Sequence, residues 1–410
     1  MRVIVILAIW VLLASCTNQK SKTNNSEIMN ELKEGSYGYD LQFLKKYIKP
    51  IELTEDNARV LISPEYQGRV MTSSSNGIAG KSYGWINHEL IRSGKISSQF
   101  NPFGGEERFW MGPEGGPWSI YFKKGDEQVF ANWVVPKEID TVPFGLVEKT
   151  DKIARFQKEF SLENASGTTL EIEVERDIKI LSKEEAEEAL SLELGNSLEF
   201  VAYESINSLK NTGLNNWDEN SGMLSIWLLC MFNPSEEGVV FIPFKKGSEE
   251  VLGKIVTDDY FGKVPADRLI VKDGILFFKT DGKLRSKIGI PPKRALPYCG
   301  SYDPVNNILT ILWYSQPDSE SKYVNSVWGG QDDPLSGDVV NSYNDGPADD
   351  GTIMGPFYEI ESSSPAAALK AGESIKHTQR IFHISGKESE LNTITENLFH
   401  LNIKEIKEVF

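Results

Sequence analysis

Three observations predict an all-β chain folded as one large β-sandwich with a few short helices. Apolar and polar residues alternate with period two along most of the sequence. Helical periodicity is scarce. No Gly/Ser-rich linker interrupts residues 50–386. Alternation reads as strand because successive side chains on a strand point to opposite faces. Residues 39–48 (YDLQFLKKYI) form the first element, a short amphipathic helix. Residues 58–74 alternate around a Pro-Glu-Tyr-Gln-Gly turn, the pattern of a hairpin. The same period continues through 118–122, 129–135, 153–163 and 169–181, the last two flanking an Asn-Ala-Ser-Gly turn. A capping box, Ser182 to Glu185, opens one helix ahead of AEEALSLEL. Strands resume at 197–211, 223–232, 238–244, 268–282, 307–315, 357–363 and 374–385. From Glu388 the pattern is helical. The expected organisation is a signal peptide at 1–15, a lipidated flexible tether at 16–38, the β body at 39–386 and a helical tail at 387–410 packed on it.

The amino-terminal expectation rests on chemistry rather than on fold. Arg2 precedes an apolar run at 3–14, too short to span a bilayer permanently. It ends in Leu13-Ala14-Ser15-Cys16, which resembles a lipobox: cleavage before Cys16 and acylation of its thiol. An ordinary secretory signal with a chance cysteine is the alternative. Residues 17–30 are polar and suit a tether. The expected partner there is a membrane, reached through the lipid on Cys16, and the expected address is the cell envelope. Thr17, in place of an aspartate, favours the outer membrane.

The formal charge of −16 argues against nucleic acid, whose phosphates need a basic face. Cys230 and Cys299 both lie among apolar residues and read as buried thiols rather than a disulfide. No cysteine or histidine spacing suits zinc.

The stretch 101–118 (NPFGGEERFWMGPEGGPW) stands apart. Its glycines and prolines read as irregular backbone, with no regular strand. Phe103, Phe109, Trp110 and Trp118 offer flat apolar faces, and Glu106, Glu107 and Arg108 offer hydrogen-bonding groups. That combination suits a sugar ring. An ordered surface loop with buried aromatics is the plain alternative. In 357–363, Glu359 and Glu361 fall on one face of a strand. Residues 287–304 read as a structured crossover, with Lys287 and Arg294 as donors that would reach a site. Residues 328–351 read as a long loop with six aspartates. Oxygen ligands at that density suit calcium, although the spacing is not that of an EF-hand. As a lid, the same loop would offer Asn341, Tyr343, Asn344 and Asp345 to sugar hydroxyls. No other metal or cofactor is expected.

Three segments together resemble the galactose-mutarotase-like superfamily. VLISPEYQGRVMTSS resembles its opening hairpin. NPFGG at 101–105 resembles its N-x-L-H-G-G segment, with Arg92 and the Gly94-Lys95 pair upstream. FYEIESSSPAAALKAGESIKHTQRIFHIS resembles its closing segment. The resemblance implies a large β-sandwich with a sugar site, Glu361 as catalytic base, and Arg92, Asn101 and Asp259 near the sugar. To these the loop adds Glu107, Arg108 and Trp110, and the acidic loop adds Tyr343. The general acid has no counterpart. Phe103 stands where that family has its first histidine, and nothing between His88 and His377 is histidine. A missing acid costs roughly 10²–10⁴ in rate. The function classes left open are a sugar mutarotase or epimerase, a glycan-recognition lipoprotein without turnover, and a structural envelope protein.

Overall fold

Ten strands form the largest layer of the computed structural model, which describes residues 32–316, 319–348 and 350–410. The signal peptide, Cys16 and most of the tether lie outside the described residues. In chain order β1 to β3 are Ile51–Glu55, Ala58–Ser63 and Arg69–Ser74, and they make a three-stranded sheet. The ten-stranded sheet runs β11 (Leu269–Lys272), β12 (Ile275–Lys279), β10 (Val239–Pro243), β14 (Tyr298–Asp303), β15 (Ile308–Tyr314), β18 (Ser374–Ser385), β8 (Glu199–Asn211), β7 (Thr169–Ile180), β6 (Ile153–Glu163) and β5 (Gly145–Lys149). A five-stranded sheet runs β13 (Ser286–Ile290), β16 (Val340–Asn344), β17 (Tyr358–Ser363), β9 (Ser225–Phe232) and β4 (Arg108–Gly112). All pairings within these sheets are antiparallel. The all-β sandwich is therefore present.

The two large sheets close on a shared core. Ile226, Leu228, Cys230 and Phe232 of β9 and Ile360 of β17 meet Ile172, Val174, Tyr203, Leu209 and Ile381 from the larger sheet. Polar bridges cross the same gap. Ser362 bonds His377 Nε2 and Gln379 Oε1 at 2.8 and 2.7 Å, and Gln379 Nε2 donates to Glu107 Oε2 at 2.7 Å. The outer face of the ten-stranded sheet is covered by α4 (Lys183–Leu190), α6 (Glu388–Phe399) and α7 (Ile403–Lys407). Leu190, Leu391, Phe399 and Ile406 pack there against Phe241, Leu309 and Phe382. Among the described residues, no helix is long and apolar enough to cross a membrane.

Several expected elements shift. The first helix, α1, is Tyr37–Leu44, and the short α2 is His88–Ser93. The segment 268–282 is a hairpin, β11 and β12, turning at Asp273-Gly274. Residues 118–122 and 129–135 are not strands. Asn132 and Trp133 donate their backbone N–H groups to Val129 in a local turn, and Tyr121, Phe122 and Trp133 pack inward as loop while Phe130 stays exposed. Conversely, the stretch 101–118 does contain a strand. Gly104 and Gly105, at φ 85° and 122°, turn the chain, and β4 follows from Arg108 and ends on Gly112. Strands β13 and β14 take the two ends of the expected crossover, with Pro291-Pro292 between them. The acidic loop contains β16, whose five residues are all buried.

Candidate functional site

The register of the five-stranded sheet decides which side chains share a face. Directly opposite residues on antiparallel strands point the same way. Arg108 faces Leu229, Leu229 faces Glu361, Glu361 faces Asn341, and Asn341 faces Gly289. A second row joins Met231, Glu359, Tyr343 and Lys287, and a third joins Trp110, Trp227 and Ser363. These residues lie on the face opposite the shared core. One side of this sheet carries the apolar residues of the shared core, with a few polar bridges, and closes the sandwich. The other is charged and aromatic, and it lies under loops.

Glu361 sits at the centre of that polar face. Its side chain is 1% exposed. Oε2 accepts from Trp227 Nε1 at 2.9 Å and from Lys287 Nζ at 2.8 Å. Lys287 Nζ also stands 4.8 Å from the centre of the Trp227 ring and 5.5 Å from that of Tyr260. Arg108 is buried, with its guanidinium 4.1 Å from the Trp110 ring and 5.5 Å from Phe100. Among the described residues, Oε1 of Glu361, Oε1 of Glu359, and Nε and Nη1 of Arg108 have no protein hydrogen-bond partner. Each is a group whose burial without a partner is costly. Burial raises the Glu359 carboxyl to about 8, with the neighbouring Glu361 adding to the rise and Arg108 and Lys287 opposing it. Burial likewise raises Glu114, just beyond β4, to about 7, with Lys287 and Arg108 opposing and Glu361 adding. Two carboxyl groups beside Glu361 are thus raised by burial against the field of two cations.

Beside this cluster opens a polar cavity of about 130 Å³. Its floor is Trp227, Lys287, Asn341 and Ser363, and its walls come from two loops carrying Lys254, Thr257 and Tyr260, and Val324 to Asp338. Tyr260 donates its hydroxyl to Asp338 at 2.5 Å and accepts from Asn341 Nδ2 at 3.1 Å. Aromatic surface, amide and hydroxyl groups, two amines and one carboxyl group meet in one recess.

The residues expected from the sequence divide. Glu361, Arg108, Trp110 and Tyr343 share the polar face; Tyr343 is buried and donates to Asp345 at 2.9 Å. Arg92 does not join them. It is exposed on α2, with its guanidinium over Phe43 at 5.6 Å. Asn101 is fully buried as a clamp, holding Asp140 and the backbone of Ser97. Glu107 points to the opposite side from Arg108, into the sandwich. There it pairs with Arg176 at 2.6 Å and accepts from Ser205 and Gln379. Asp259 is exposed, and its neighbour Tyr260 reaches the cavity instead. Arg294 is buried and donates to the carbonyls of Lys245, Gly247 and Gly253, which fixes the crossover. His88, His377 and His383 are held within the fold. His88 bonds Asp40, and His383 bonds Thr310 and Glu106. His377 is pushed down to about 3 by burial. Cys230 and Cys299 are free and buried. Among the described residues, no group of three or more metal-ligating side chains is gathered, in the acidic loop or elsewhere.

Trp227, Tyr260 and Asp338 were not singled out as site residues from the sequence. Trp227 lies in an unbroken apolar run, MLSIWLLCMF, which gives no sign of which face it takes. Asp338 is one of six aspartates in its segment.

A family model described as a family of unknown function, DUF6786, matches residues 35–410. The chain belongs to that family. Among solved structures, one it resembles is a galactose mutarotase-like protein from Lactobacillus casei, at 10% identity and a TM-score of 0.44, covering 82% of this chain and 100% of that one. Another is a galactose mutarotase related enzyme from Lactobacillus acidophilus, at 11% identity and a TM-score of 0.46, covering 82% and 97%. No curated protein matches the sequence.

Proposed function

We propose that this protein recognises a carbohydrate in the cavity over Trp227 and Lys287. Glu361 serves there as the base that removes the proton from an anomeric hydroxyl, in a mutarotase-type isomerisation. The reading rests above all on Trp227 and Lys287, which both line the cavity and both bond one oxygen of Glu361. An indole face suits the C–H face of a sugar. A carboxylate left with one free oxygen beside that ring is the base the chemistry requires. The lipid anchor on Cys16 and an outer-membrane address belong to the same proposal; Cys16→Ser should release the protein from the membrane fraction.

A second reading, recognition without turnover, is favoured by the near-complete burial of Glu361 and its double engagement. Saturation-transfer NMR against a panel of monosaccharides measures binding, and anomeric exchange measures turnover. The catalytic reading expects Glu361→Gln to abolish exchange while sparing binding. Exchange equal to buffer with every sugar that binds would leave recognition alone standing. Absence of binding by any sugar would end both.

A further inference from the structure

The polar face lacks a histidine to serve as general acid, yet a carboxyl group lines the cavity alongside Trp227 and Lys287, the partners of Glu361. Asp338 lines it directly, from the loop just before β16. Its position depends on Gly289. A Cβ placed on that residue would collide with Asp338 Oδ2 and Asn341 Nδ2, so the carboxyl group lies against the bare backbone of β13. Gly289 ends the row that runs through Asn341 to Glu361. Asp338 and Glu361 therefore stand over positions two strands apart on one sheet face, about 9–10 Å at the backbone. Tyr260 and Lys287 lie between them.

We propose that Asp338 is the general acid of this site and that Tyr260 holds it in place. The proposal rests on the catalytic reading above and adds the partner which that reading lacks. Glu361 takes the proton of the anomeric hydroxyl as the C1=O bond forms. The bond from C1 to the ring oxygen breaks, and its electron pair takes the proton of Asp338. Rotation about the C1–C2 bond and the reverse transfers close the ring on the other face, returning both protons. No co-reactant is consumed.

The environment disfavours the charged form of this carboxyl. Burial raises Asp338 above the ordinary carboxylate range, against hydrogen bonds from Tyr260 and Thr257 and the charges of Lys254 and Lys287. Those groups, with Asn341, are the polar neighbours that face it from the 254–260 loop, β13 and β16. The loop is fixed on both sides of Lys254. Arg294 donates to the Gly253 carbonyl, and Thr257 exchanges backbone hydrogen bonds with Gly289.

The test uses the full chain with α-D-galactose and α-D-glucose, reading anomeric exchange by NMR and binding by saturation transfer. Asp338→Asn keeps the shape and should lower exchange by roughly 10²–10⁴ with binding within a few-fold. Tyr260→Phe should shift the basic limb of the pH–rate profile, which a merely structural tyrosine would not do. Gly289→Ala should lower exchange by displacing Asp338, with thermal unfolding monitored to confirm folding. Wild-type exchange in a folded Asp338→Asn, alongside loss in Glu361→Gln, would overturn this inference and leave the catalytic reading intact. A wild-type protein that binds sugar without exchange would overturn both.

Discussion

The two sheets of the sandwich are built to different specifications. In the ten-stranded sheet the adjacent strands β6, β7, β8 and β18 run 11, 12, 13 and 12 residues. One face builds the shared core, and helices cover part of the other. In the five-stranded sheet the strands are 5 to 8 residues long and buried at nearly every position, yet one face is lined with glutamates, a lysine and an arginine. The long sheet buries apolar surface on an extended ladder. The short one holds charges out of water, where they interact more strongly. Stability should therefore be most sensitive where the two sheets meet, and ligand behaviour should be most sensitive on the far side of the short one.

The ion pair between Glu107 and Arg176 sits at the junction with both side chains fully buried. Removing one partner leaves an uncompensated charge, which costs about 3–5 kcal/mol. Urea unfolding of Glu107→Ala should show a loss of that size. A double variant, Glu107→Leu with Arg176→Met, should recover much of it. A loss below about 1 kcal/mol in the single variant would mean that the junction is not where the sheets are locked.

On the polar face the largest expected effect is at Trp227. Trp227→Phe keeps an aromatic ring but removes the donor to Glu361, leaving Oε2 with Lys287 alone. Loss of that bond, with the space vacated, should destabilise by about 1–3 kcal/mol in denaturant titration. It should also weaken sugar binding. An unchanged affinity would move the ligand off this floor.

Acidity separates the sheets further. Burial, with Glu361 adding, raises the Glu359 carboxyl in the folded chain to about 8 from about 4.5, so the folded state holds the proton more tightly. Its contribution is fully present below about 4.5 and is lost as pH rises through 8, with a slope of at most about 1.4 kcal/mol per pH unit. His377, at the junction, has the opposite sign. Burial lowers it to about 3, so its contribution is present above about 6.5 and fades as pH falls. Glu359→Gln should flatten the decline in stability between pH 5 and 8, and His377→Gln should flatten the acid side. Unfolding curves across pH read both effects.

The same contrast explains how much was legible in the sequence. Strands with one face open to solvent carry their alternation in plain sight, as β6 and the first half of β18 do, and both strands begin and end where the alternating segments of the sequence do. Strands buried on both faces lose that alternation, and β4, β13 and β16 were hidden inside a glycine-rich stretch, a proline-rich crossover and an acidic loop. Three of the five strands of the short sheet were therefore unreadable, while two, β9 and β17, were found. The site suffered accordingly. Glu361 and Arg108 were recognisable by residue type, but register alone puts them in one row. Glu107 was singled out beside Arg108, yet adjacent residues on an extended chain face opposite sides. Asp338 depends on the absence of a side chain at Gly289, a signal that one sequence does not carry.

The smallest expected effect lies on the outer face of the long sheet, where the local code was read correctly. Ser182 caps α4: its hydroxyl accepts from Glu185 N–H, and the Glu185 carboxylate accepts from Ser182 N–H. The box satisfies two donors that the first turn of a helix otherwise leaves open. Ser182→Ala removes one of them and should destabilise by about 1 kcal/mol. The helix buries only Ala186 and Leu190 and lies on the side away from the polar face. The loss should therefore appear in unfolding by denaturant, with sugar affinity and its pH dependence unchanged. A change in affinity would show that the outer helices are coupled through the long sheet to the short one, and the division of labour between the two sheets would have to be redrawn.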